Sequence, residues 1–155
     1  MARRLAALLA LAAALGATAG CGTEDAKPVD DACLSSPDAI ERALARAPAP
    51  VTLASGTRLS DCVSGARSDA DLQNAGLVLT RAADHLAGRA QRGDADAALD
   101  LGYLVGAARR GASRTNGIHA ELAHRVESSA RVLADGGETV AAALERGLRA
   151  GEATG

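Results

Sequence analysis

The chain is 155 residues long, with one tyrosine and neither phenylalanine nor tryptophan. Nineteen acidic residues against seventeen basic ones give a net charge of −2, which excludes the basic surplus that nucleic-acid binding needs. A single aromatic ring cannot build the platform on which sugars or quaternary amines are usually held.

The chain opens Met-Ala-Arg-Arg and then runs without charge from Leu5 to Ala19. A short basic segment, an apolar stretch and a run of small residues make a secretory signal. The stretch is shorter than the roughly 20 residues that span a bilayer. It ends Thr18-Ala19-Gly20-Cys21. These four residues resemble the lipobox of bacterial prolipoproteins, although Thr18 stands where such signals usually carry Leu. The resemblance covers residues 1–21 and implies cleavage before Cys21, lipidation of its thiol and an extracytoplasmic, membrane-anchored protein. Loss of Arg3 and Arg4 with the signal leaves fifteen basic and nineteen acidic residues, a net charge of −4.

The organisation expected is therefore a signal at residues 1–20, a lipidated cysteine and flexible tether at 21–32, a helical domain at 33–150 and a frayed tail at 151–155. Glu24, Asp25, Asp30, Asp31 and Pro28, with no apolar run among them, suit a tether. Cys33 and Cys62 remain as a pair in an oxidising compartment, and a disulfide between them is the default. Closing that loop contributes roughly 3–4 kcal/mol in the chain-entropy model.

Ser36-Pro37-Asp38 starts the first helix with a capping hydroxyl, a proline at the first helical position and an acid at the positive dipole end. Ile40 and Leu44 give it an apolar face, and Pro48 and Pro50 end it. Residues 51–56 read as extended or loop, and residues 57–63 as a short helical turn carrying Cys62. A helix capped at Ser68 runs to about Arg92, with Leu72, Leu79 and Leu86 as its stripe. The next spans residues 95–110, with Leu101, Leu104, Val105 and Ala108 on one side and Gly111 as terminator. Thr115 or Asn116 caps a helix over 117–134, whose inward positions are Ile118, Leu122, Val126, Ser129 and Leu133. The last helix covers 138–149, with Val140, Leu144 and Leu148 inward. Short loops favour antiparallel neighbours. The fold class is all-α: a small antiparallel bundle with a disulfide-clipped N-terminal helix-loop segment. The mature part resembles uncharacterised secreted helical proteins of high-GC Gram-positive bacteria, which implies no activity.

Candidate sites are few. His119 and His124 stand five apart on one helix, about 140° around its axis, and so cannot share a metal, and they read as solvated. His85 could meet one of them only across a helix interface. Arg109, Arg110 and Arg114 form a basic cluster that could face an acidic partner or phosphate. Tyr103 falls near the core edge, where its hydroxyl could stay wet. Asp94, Asp96 and Asp100 crowd a helix start, as dipole-facing acids do. Ser60 and Asp61 offer a hydroxyl and an acid without an identifiable base. No nucleophile elbow, phosphate loop or free catalytic cysteine occurs. No catalytic, cofactor or metal residue is assigned. The expectation is a non-enzymatic docking domain, held to the membrane by lipid and facing an envelope protein. The alternatives are a carrier for a small apolar ligand and a hydrolase with an unrecognised site.

Overall fold

The computed structural model describes residues 28–115 and 117–155. Six α-helices follow one another without a named strand among the described residues: α1 Pro37–Leu44, α2 Leu59–Gly65, α3 Asp69–Gln91, α4 Ala95–Ser113, α5 Ile118–Ala130 and α6 Glu138–Thr154. Short 3₁₀ turns precede α1 (Asp31–Leu34) and follow α5 (Arg131–Leu133). The chain is an all-α bundle. None of its described helices is long and apolar enough to cross a membrane.

The helix starts follow their capping chemistry. Ser36, Ser68 and Asp94 each accept a hydrogen bond from the backbone N–H three residues on. Pro37 sits at the start of α1. These bonds satisfy donors that the first turn would otherwise leave open. Gly93, at φ +91°, makes the tight reversal between α3 and α4 that a side chain would strain.

α4 is the centre. Every residue from Ala97 to Ala108 is buried, and α1, α2, α3, α5 and α6 all touch it. A helix apolar on all sides is one that has been surrounded. Its closest neighbour is α6. A Cβ at Gly147 would overlap the Leu99 carbonyl, and one at Gly151 the Tyr103 carbonyl. From the other side, Cβ atoms at Gly102 and Gly106 would overlap the Leu144 and Leu148 carbonyls. Each glycine thus brings its Cα–H against a carbonyl oxygen, the geometry of the weak C–H···O contacts found between closely packed helices. The contacts advance together along both helices, so α4 and α6 run parallel, with α5 as the crossover between them. Short loops do make sequential helices neighbours, but they do not make the closest pair antiparallel.

Several boundaries move. The expected frayed tail is the last turn of α6, and Gly151 and Gly155 are buried against α4. The expected tether gives way to folded chain at its C-terminal end. Val29 is buried in the core, and Asp30 caps the first 3₁₀ turn and accepts the Thr57 hydroxyl at 2.7 Å. Gly111 does not end α4. It lies inside the helix because a Cβ there would strike Ser60 and Val63 of α2. The stripe Leu72–Leu79–Leu86 splits, since α3 drifts relative to a strict seven-residue repeat: Leu79 and Leu86 are buried and Leu72 only partly. On α6 the inner line is Val140, Ala143, Gly147 and Gly151, leaving Leu144 and Leu148 half-buried.

The Cys33–Cys62 disulfide is present, with Cα atoms 5.5 Å apart. It ties the first 3₁₀ turn to α2, and both cysteines are fully buried. Tyr103, expected at a wet edge, is also fully buried. Its hydroxyl accepts the Val51 N–H at 2.9 Å and bonds the Thr154 hydroxyl at 2.9 Å. One phenol therefore links the loop after α1 to the end of α6. Tyr103→Phe should destabilise the protein by about 1–3 kcal/mol, because it strands the buried Val51 N–H. Denaturant unfolding checks this, and an unchanged midpoint would show that the hydroxyl holds nothing.

Candidate functional site

The predicted basic cluster is tied to neighbouring helices at the surface of the fold. Arg109 pairs with Glu127 of α5 and, at 3.3 Å, with Glu152 of α6. Arg110 donates to the Glu152 and Ala153 carbonyls at 2.8 and 2.7 Å, where the C-terminal end of α6 leaves acceptors open. Arg114 meets Asp61 of α2 at 3.0 Å. The three guanidiniums fasten α4 to its neighbours while staying partly exposed, and all three line a shallow concavity of about 440 Å³ with Ser113 and Glu152. Cys21 lies outside the described residues.

The histidines separate. His119 is buried, not solvated, and its Nε2–H donates to the Ala66 carbonyl at 2.7 Å. His124 is exposed beside the Arg131 guanidinium. Ser60 is fully buried, and its hydroxyl has no hydrogen-bond partner among the described residues. His119 and Ser60 pack where α2 closes on the bundle.

Two of the larger concavities lie between helices. The first is a groove of about 630 Å³ between the N-terminal half of α3 and α5. α3 contributes Asp69, Leu72, Gln73, Gly76, Leu77 and Thr80, and α5 contributes Ile118, Glu121, Leu122 and Arg125. Both sets repeat at three and four residues, so each is one helical face. Leu77 is 51% exposed and Ile118 54% exposed, which leaves the groove open to solvent. Gly76 keeps its floor low: a Cβ there would stand 3.1 Å from Leu122 Cδ1. Ile118 was expected to face inward, and Leu77 was not singled out at all. A second stripe on α3, offset from Leu79 and Leu86, is the signal that carried it. At the rim Arg125 pairs with Glu121 at 3.0 Å, while the Asp69 side chain has no hydrogen bond or ion pair with any described residue.

The second is a cleft of about 650 Å³ where α1, α3 and α4 meet, lined by acids and by Arg42 and Arg89. The three aspartates expected at the start of α4 behave differently here. Asp94 caps the helix, and the Ala97 N–H, then the Arg89 side chain, hold its carboxyl below the usual range. Asp100 is only 9% exposed. Burial pushes its carboxyl up to about 7; Arg89 opposes this, and Asp96, Asp94 and Glu41 add to it.

No protein-family model, curated protein or solved structure matches the chain.

The raised Asp100 value has a definite sign. The folded chain keeps a proton that the unfolded chain releases, so this group's contribution is greatest in acid and falls as pH rises, levelling off above about 7. In a chelating buffer, the wild type should lose roughly 2–3 kcal/mol more than Asp100→Asn between about pH 5 and about pH 8. Unfolding midpoints at the two pH values test this. Parallel pH profiles would show that Asp100 titrates normally.

Proposed function

We propose that this is an exported protein, anchored by lipid at Cys21, whose helical domain is a docking module of the cell envelope. Its partner is a basic amphipathic helix from another envelope protein, seated in the groove between α3 and α5. The observation that supports this reading is the pair of facing apolar stripes, with Leu77 and Ile118 standing in solvent at the groove mouth. Two adjacent helices offer a third one a trough of matching ridges, and recognition then rests on anchors three and four residues apart.

Charge selects the partner. The unpaired Asp69 marks one end of the groove, and the mature chain carries an acidic surplus. Basic flanks on the incoming helix would complement both and speed encounter. The anchor limits where that partner is. Six residues lie between Cys21 and Pro28, and the seven steps reach at most about 25 Å at full extension. The partner's helix therefore sits close to the membrane surface.

A photoreactive residue at position 77 in living cells tests the reading. One dominant envelope-protein adduct is expected, lost in a chain carrying Ile118→Asp, an exposed substitution that leaves the core intact. Cys21→Ala should release the protein from membranes and abolish the adduct. No adduct above background, with ligand retained by the purified domain instead, would replace docking by apolar-ligand carriage. Continued membrane association of Cys21→Ala would remove the lipid anchor from the account.

A further inference from the structure

At the edge of the cleft between α1, α3 and α4, two of its lining acids stand beside a histidine that no site above uses. Asp38 and Glu41 stand three residues apart on α1 and so share a face. His85 of α3 meets them, with its Nδ1 3.0 Å from Glu41 Oε1. One ligating atom from each of Asp38, Glu41 and His85 lies within 4.8 Å of the other two. All three are on or half within the surface, so an ion can reach them.

The cleft beyond them is built for positive charge. Its lining holds Asp38, Glu41, Asp96 and Asp100 against Arg42 and Arg89. Arg89 is committed to Asp94 through two hydrogen bonds of 3.0 and 2.9 Å, and it stays 3.8 Å from Glu41. A separate observation comes from Asp100. It is nine-tenths buried, it lines the cleft, and it has no hydrogen bond or ion pair with any described residue. A carboxyl buried there without a hydrogen bond is costly in its charged form, and Arg89, the cation that favours that form, is already bonded to Asp94.

We infer that Asp38, Glu41 and His85 form a binding site for a divalent transition-metal ion of the zinc class, at the edge of the cleft that Asp38 and Glu41 line together with Asp100. One imidazole nitrogen and two carboxylates suit zinc, whereas calcium and magnesium prefer oxygen alone. Two carboxylates also neutralise the dication. Tetrahedral ligands about 2.0 Å from a zinc ion lie roughly 3.3 Å from one another, so the His85–Glu41 pair needs to open only by a few tenths of an ångström. The imidazole coordinates through Nδ1, which must give up any proton held there, leaving Nε2 as the protonated nitrogen. This inference is independent of the docking reading.

The test uses an untagged full chain with Cys21→Ser, in which the remaining cysteines are joined and no free thiol competes. Zinc chloride is titrated calorimetrically at neutral pH. One equivalent should bind, and His85→Ala and Glu41→Gln should each weaken it at least about tenfold. His124→Ala, at an exposed histidine away from the cleft, should bind zinc like the parent. His85 is exposed, so its removal leaves the fold intact, and thermal unfolding without metal confirms that. Absence of binding at millimolar zinc would overturn the site. So would binding indifferent to His85→Ala, or calcium binding as tightly as zinc.

Discussion

The backbone-to-backbone contact of α4 with α6 is the constraint from which the other features of the fold follow. A chain with one aromatic residue cannot fill the space between helices with large side chains. The interhelical gap must shrink instead. Gly102 and Gly106 on one helix and Gly147 and Gly151 on the other, each pair four residues apart, make complementary grooves that let the carbonyls of each helix lie against the other's glycines. Rows of residues four apart are the ridges and grooves of the commonest helix packing. Here the ridges have been cut away, so dispersion and C–H···O contact act at close range over several turns.

That contact explains why α4 is surrounded. Once α6 lies tight along one side, the remaining apolar circumference of α4 must be covered by α1, α2, α3 and α5. The three arginines late in α4 then fall at the borders with α2, α5 and α6 and find acids or helix-end carbonyls there. Tyr103, the largest buried side chain, spends its hydroxyl on two distant segments. α3 has no such freedom along its whole length. Its later turns serve the core, while its first turns form a groove with α5 and keep an apolar face open. The groove is what remains when a small-residue core has taken the helices it needs.

Much of this was legible in the sequence. Ser36-Pro37, Ser68 and Asp94 mark helix starts whose capping bonds exist, and the Cys33–Cys62 bridge joins the two cysteines that remain once Cys21 is set aside. The errors share one cause. Reading Leu and Val as core and Gly as a breaker assigns Gly111 to a helix end and residues 151–155 to a frayed tail. In fact those glycines are interior because another backbone presses on them. The repeat of small residues at Ala143, Gly147, Gly151 and Gly155 was visible, but only the partner repeat on α4 gives it meaning. The groove and the Asp38–Glu41–His85 cluster each need two or more helices brought together, and no single helix face announces them. The proposed membrane attachment, in contrast, rests on residues 1–21 alone.

Unfolding of Gly147→Ala beside Gly88→Ala tests the α4–α6 contact most directly. Both glycines are in helices, where alanine is intrinsically better by up to about 1 kcal/mol. At Gly88 the nearest neighbour of a new Cβ is the flexible end of Arg92, 3.8 Å away, and at Gly147 it is the α4 backbone. The account predicts that Gly88→Ala is neutral or stabilising and that Gly147→Ala costs more than about 3 kcal/mol. Equal stability of the two variants would contradict it, because α4 and α6 would then have room that close backbone packing does not allow.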